Sequence, residues 1–174
     1  MRRTPAAVGS AVFFALAPGG VAGFGPWWVT RWRMADLPDG LSWAAVPLRV
    51  TGVVLILVGG AVLVDAFVRF VTEGFGTPAP VAPPEHLVVG GLYRYVRNPM
   101  YVGVLAAIVG QGLLLARSGL LWYAAITFVA VFCFVRLYEE PALRRSFGAE
   151  YEEYRAAVPG WWPRLRPWAK TSSG

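Results

Sequence analysis

The residues best suited to chemistry fall in two clusters. The stretch GLYRYVRNPMYVG, Gly91 to Gly103, gathers Arg94, Arg97 and the tyrosines Tyr93, Tyr95 and Tyr101 at the mouth of an uncharged run. A second stretch, RLYEEP, sets Arg136, Glu139 and Glu140 at the far end of the next apolar run. Adjacent glutamates at a helix C-terminus oppose the helix dipole and repel each other, so cations are expected nearby. Arg136 reaches Glu140 at a four-residue spacing, and Arg94 or Arg97 could reach across from the first cluster. Such residues either form a structural salt-bridge network or hold a small zwitterion with an aromatic part. A guanidinium forks onto a carboxylate, a glutamate accepts from paired hydroxyls or a cationic amine, and tyrosine offers a ring and a hydroxyl.

Several other chemistries lack support. There is no histidine–cysteine cluster, so no metal site is expected. His86 is the single histidine and reads as structural or incidental. The lone Cys133 reads as a small packed hydrophobe and excludes an intrachain disulfide. No dinucleotide fingerprint, Walker motif or serine-nucleophile elbow is present. The net charge of +6 comes with no nucleic-acid module, which leaves an anionic bilayer surface as the simpler partner.

The elements that position these clusters are apolar. Of 174 residues 56% are hydrophobic and only 15% charged, with a mean hydropathy of +0.51. Charged residues are missing from Thr4 to Thr30, Val50 to Val64, Asn98 to Ala116 and Ser118 to Val135. Without period-two alternation these runs read as membrane helices. The expected fold is therefore all-α and polytopic, with four transmembrane helices and a short cytosolic C-terminal amphipathic helix. The helices are expected at about Ala6 to Val29, Trp43 to Val71, Pro99 to Ala116 and Leu120 to Glu140.

Arg2 and Arg3 before an apolar run also suit a signal peptide cut after Ala17. The apolar character continues past that point to Trp28, so a retained first helix is expected. Trp27 and Trp28 suit an interfacial anchor, and Gly52, Gly59 and Gly60 suit close helix packing. Asp65 and Arg69 can pair on one helix face. The stretch GFGTPAPVAPP, Gly74 to Pro84, reads as an extended connector. Arg117 to Gly119 leaves room only for a hairpin turn, which returns the fourth helix to the side of Arg97. Pro99 suits the first turn of the third helix. With four crossings, Arg2, Arg3, Arg94, Arg97 and the tail cations face the cytoplasm by the positive-inside rule, and both termini are cytoplasmic. Composition low in lysine and rich in Ala, Gly, Arg, Pro and Val looks bacterial, so the expected site is the inner membrane.

GLYRYVRNPMYVG followed by EEPALRRSFGAEYEEYRAAVPGWWP resembles the integral membrane methyltransferase family of isoprenylcysteine carboxyl methyltransferases and phospholipid N-methyltransferases. The likeness covers about Leu87 to Pro163, a motif-bearing core within what reads as a single domain over residues 1–174. It implies binding of S-adenosylmethionine at the cytosolic membrane edge. The family motif falls on Arg97, Pro99, Tyr101, Glu139 and Glu140. On that likeness Arg97 holds the methionine carboxylate or a gating ion pair, and Tyr101 and Asn98 orient the cofactor. Glu139 and Glu140 hold its ribose or amino end, or the arginines. Leu92 and Tyr93 line the same pocket, and Phe147 and Tyr151 cover it from a docked tail helix. Tyr154, Val158 and Pro159 continue the pattern, while Trp161, Trp162 and Trp168 read as interfacial anchors. Many relatives carry histidine where this chain has Asn98, which cannot titrate near neutral pH.

The implied reaction is direct methyl transfer to a hydrophobic or amphiphilic acceptor bearing a carboxylate, amine, thiol or hydroxyl. A carboxylate acceptor needs no base, whereas an amine or alcohol must lose a proton to Glu139, Glu140 or solvent. A structural or sensory protein with a degenerate site, or a small-molecule transporter, are the alternatives. The acceptor's identity and the oligomeric state are not legible at this level.

Overall fold

The computed structural model describes residues 17–37, 40–74 and 86–169, and every regular element among them is helical. Helix α1, Gly25–Thr30, follows a π-helical turn at Gly20–Phe24. A 3-10 turn at Ser42–Ala44 leads into α2, Ala45–Gly74. A second 3-10 turn, Gly91–Arg94, precedes α3, Pro99–Leu114. Helix α4, Ser118–Phe134, passes through a π-helical turn at Val135–Glu139 into α5, Glu140–Ala157. Residues 6–16 of the expected first helix and most of the Gly74 to Pro84 connector lie outside the described residues.

Two helical stretches, Ser42–Arg69 and Ser118–Ala157, contain segments long and apolar enough to cross a membrane. The 30 residues of α2 span about 45 Å at 1.5 Å each, more than a hydrocarbon core of about 30 Å. Their outer faces carry Val46, Leu57, Trp122 and Ile126, each about two-thirds or more exposed. So continuous an apolar belt would be costly in water and suits lipid. Cys133 lies on this outer surface, exposed rather than packed. The expectation of an inward cysteine fails because α4 has few neighbours to bury it: only Leu120 and Ala124 of that helix are buried.

Helices α2 and α3 pack through paired glycines. A Cβ on Gly52 would stand 2.6 Å from the Gly110 carbonyl oxygen, and one on Gly110 would stand 2.7 Å from that of Gly52. Gly59 and Gly103 repeat the arrangement, each Cβ falling 2.7 Å from the other's carbonyl oxygen. Both pairs step by seven residues in opposite directions, the register of two antiparallel helices with one seam. Small residues let the backbones approach where lipid offers no hydrophobic drive for association.

The first helix is tied in by hydrogen bonds that its own sequence creates. Pro26 has no N–H to give the carbonyl of Ala22, and the Gly25 N–H turns back to Gly20. Two carbonyls are thereby left without their usual donors. Gln111 of α3 donates to Ala22 O at 2.7 Å, and the Tyr123 hydroxyl of α4 donates to Val21 O at 2.9 Å. Gly25 makes room for that hydroxyl, which would collide with a Cβ there. Trp32 Nε1 completes the set by donating to Gln111 Oε1 at 3.2 Å.

One expected boundary is wrong. The fourth helix does not end at Glu140: the chain stays helical through the π turn into α5. Pro141 explains the wider turn, because its ring clashes with the carbonyl four residues earlier and it lacks an N–H. The glutamates therefore stand at a junction, with Glu140 in the first turn of α5, and the expected conflict with a helix C-terminus does not arise.

Candidate active site

The approach to α3 is locked before it reaches the site. Gly91 has φ +50°, and a Cβ there would strike the Arg69 side chain. Arg69 is held at that spot by Asp65, with Nε to Oδ2 at 3.2 Å. This is the expected helix-face pair, and its position beside Gly91 is structural. Backbone N–H groups of Tyr95 and Val96 both return to Leu92 O, which closes the turn and points Arg97 and Asn98 onward. Pro99 then opens α3, as its fixed φ and missing donor allow.

A strap from Val158 to Trp168 lies against this approach. Arg97 N–H donates to Pro159 O at 2.9 Å, Arg164 N–H to Tyr95 O at 2.9 Å, and Trp168 N–H to Arg94 O at 3.0 Å. Side chains reinforce it. Arg97 Nε reaches Val158 O at 2.9 Å, Asn98 Nδ2 reaches Gly160 O at 3.1 Å, and Arg94 Nε reaches Trp168 O at 2.6 Å. The Tyr154 hydroxyl adds a bond to Tyr93 O at 2.7 Å. Asn98 thus spends its amide on the strap; it does not cap α3.

The two polar clusters meet under the strap. Arg97 Nη1 lies 2.9 Å from Glu140 Oε1 and donates to the Tyr151 hydroxyl at 3.0 Å. Arg136 Nη1 reaches Glu140 Oε2 at 2.8 Å, and Arg155 Nε stands 3.6 Å from the same oxygen. That Nε is buried without a hydrogen-bond partner among the described residues. Glu139 is placed differently, its Oε2 accepting from the Tyr101 hydroxyl at 3.1 Å. Burial alone would push the Glu140 carboxyl up. Its hydrogen bond to Arg97 and the charges of Arg97, Arg136 and Arg155 outweigh that, leaving it below the ordinary carboxylate range. Glu140 follows the apolar run of α4, at the start of a helix with seven charged residues among its eighteen.

A cavity of about 50 Å³ opens among these groups, enough for a few waters. Of the residues expected at the site, Tyr93, Arg97, Asn98, Glu139, Glu140 and Tyr151 line it. Leu92, Pro99, Tyr101 and Phe147 do not. Leu92 and Pro99 shape the backbone around it, and Tyr101 acts through Glu139. Phe147 packs instead against the buried Tyr151, Tyr154 and Val158 cluster. Leu87, Val88, Val135, Leu143 and Tyr154 also line the cavity; of these only Tyr154 belongs to the sequence motif, as its continuation, and without an expected place at the site. Val135 stands one helical turn before Glu139, and Tyr154 lies three residues after Tyr151 on one helix face. Those spacings were the available signals.

Trp161 is not a free interfacial anchor. Its ring meets Phe128 edge-on at 5.2 Å, Phe132 at 5.9 Å and Tyr101 at 6.4 Å. Trp168 packs on Tyr154 at 5.5 Å, while Trp162 remains 82% exposed and keeps the anchor reading. No group of three or more metal-ligating side chains exists among the described residues.

A family model described as phospholipid methyltransferase matches residues 43–150, more than half of the chain. The chain is similar to methanethiol S-methyltransferase 1 of Bradyrhizobium diazoefficiens, at 33% identity over 90 residues. That match covers 52% of this chain and 29% of the relative, so the chain spans less than a third of the relative's length. No solved structure matches.

Proposed function

From the premise that this chain belongs to the phospholipid methyltransferase family, we propose that it is a membrane methyltransferase using S-adenosylmethionine. The acceptor is a hydrophobic or amphiphilic small molecule or a membrane lipid. The observation that carries this reading is the Arg97–Glu140–Tyr151 cluster, joined across 43 and 54 residues of sequence. A half-buried arginine beside a buried glutamate suits an α-amino acid end, with the carboxylate on Arg97 and the ammonium on Glu140. The donor set fits further, because Arg155 Nε is buried and has no hydrogen-bond acceptor among the described residues. When bound, the cofactor supplies an electrophilic methyl group on a sulfonium.

This chain's own residues bind, orient and exclude water. Tyr151 holds the Arg97 fork toward the cavity, and the strap braces two lining residues, Arg97 and Asn98, through the carbonyls of Val158, Pro159 and Gly160. Ligand sites of this kind enclose roughly 300 Å³ or more, against about 50 Å³ here. Binding therefore requires the strap or the Arg97–Glu140 pair to give way. Residues 87–163 form the cofactor-binding core of a single methyltransferase-like domain. The core sits at the cytoplasmic edge of a bacterial inner membrane. Phe128, Phe132 and Trp161 offer an apolar flank to an acceptor whose body stays in the bilayer.

The test is calorimetric binding of S-adenosylmethionine to the purified chain in detergent. Arg97→Ala and Glu140→Gln are expected to lower affinity at least tenfold. A folded wild type that binds no cofactor would sink the reading.

A further inference from the structure

The two adjacent glutamates are treated very differently by their surroundings. Glu140 is met by Arg97, Arg136 and Arg155, so its charge is balanced on both oxygens. Glu139 forms no ion pair among the described residues. Among the described residues its single hydrogen bond is the one that Tyr101 donates to Oε2, with none to Oε1, and Glu139 lines the cavity. Tyr101 in turn leans on Trp161, which packs against Phe128 and Phe132. The carboxylate is therefore aimed by a fixed phenol, with an aromatic wall beside it and its other oxygen uncommitted.

We infer that Glu139 takes the acceptor's proton, and that the acceptor is a protic group, a thiol or an amine that must lose a proton, rather than a carboxylate. The inference rests on the cofactor reading above and narrows its substrate class. A carboxylate acceptor would have no proton to give Glu139, whereas a thiol or an amine must lose one. Glu139 Oε1 takes the S–H proton of a thiol, or one N–H proton of the ammonium form that an alkylamine holds at neutral pH, and releases it through the cavity to water. The lone pair so freed forms the new bond to the methyl carbon as the sulfonium's methyl–sulfur bond breaks, and that bond's electron pair remains on sulfur. Tyr101 is a positioning residue in this scheme, since it acts on Glu139 alone. Glu140, saturated by arginines, is not the base.

The test uses the full chain in detergent micelles, as wild type and as Glu139→Gln, which can still accept the Tyr101 bond. Cofactor affinity is read by calorimetry, and labelled methyl transfer is read on octanethiol, octylamine, phosphatidylethanolamine, octanoate and an aryl thiol already ionised at the assay pH. Wild type is expected to methylate a protic acceptor and to leave octanoate untouched. Which of the thiol, amine and lipid amine is methylated identifies the source of the nucleophile. Glu139→Gln is expected to keep cofactor affinity within about threefold and to lose about 100-fold or more on the protonated acceptor. On the ionised aryl thiol it should lose less than about tenfold, because no proton remains to be moved. Four results would overturn the inference: octanoate methylation, equal losses on both thiols, loss of cofactor affinity in the variant, or no transfer to any protic acceptor by a wild type that binds cofactor. A wild type that binds no cofactor overturns the cofactor reading instead.

Discussion

At the scale of single residues, Arg97 depends on its shape as much as its charge. One guanidinium serves Glu140, the Tyr151 hydroxyl and the Val158 carbonyl in three directions. A lysine ammonium is a point charge and cannot span that fork. Arg97→Lys is expected to lose at least tenfold in cofactor affinity and about 1.5–3 kcal/mol in stability, the range for a hydrogen bond to a charged group; calorimetry and denaturant melts check each number. Glu140 supports a pH prediction. Its carboxyl titrates lower in the folded chain than in the unfolded one, so its stabilisation is complete above the ordinary glutamate value of about 4.3. It is lost as pH falls through the depressed folded value. The difference in thermal midpoint between wild type and Glu140→Gln should be constant from neutral pH down to about 5 and shrink below about 4.3; a difference that shrinks already near neutrality would contradict the ion-pair assignment.

At the scale of elements, two devices set where the site residues point. The seam of α2 and α3 depends on Gly52, Gly59, Gly103 and Gly110, whose missing side chains allow carbonyl contact across the helices. Gly59→Leu is expected to force the helices apart and cost about 1–3 kcal/mol as overpacking. Retention of the wild-type melting temperature would refute that packing. The π turn at Val135–Glu139 is the second device. Relaxing it to α geometry would change the phase between α4 and α5, turning Glu139 and Glu140 relative to α4. Pro141→Ala removes the clash that maintains the turn. The expected outcome is weaker cofactor binding at unchanged or higher thermal stability, a combination that simple unfolding cannot produce.

At the scale of the whole molecule, α3 and α4 form a hairpin whose ends meet in the Arg97–Glu140 contact of 2.9 Å. The expected return of the chain to one side thus has a direct structural counterpart. The proposed arrangement of four crossings, with this polar end in the cytoplasm, has its own test. A reporter fused after Gly174 should signal from the cytoplasm, and an external signal would reverse the orientation. The opposite end is closed by other means: Arg117 Nε donates to Arg33 O at 3.1 Å, and Ala35 N–H to Leu115 O at 2.9 Å. Polar contacts therefore close both ends of the hairpin, and the apolar belt lies between them.

The sequence by itself determined the helical class, the apolar belt and the two polar clusters. Those follow from residue type and local spacing, which act over a few neighbours. It also announced Asp65 with Arg69 and Arg136 with Glu140, because a helix brings every fourth residue to one face. Only the tertiary structure decided that Arg97 pairs with Glu140 while Glu139 is left to Tyr101. Adjacent residues on a helix point in different directions, and the π turn alters that phase in a way that spacing does not predict. The strap was equally hidden, since its acceptors are the carbonyls of Val158, Pro159 and Gly160, and a backbone carbonyl carries no signature of residue type. Asn98 joins the two levels. Its identity as a neutral hydrogen-bonding group was plain from sequence, but its engagement with Gly160 rather than a capping bond emerged only when the chain folded back.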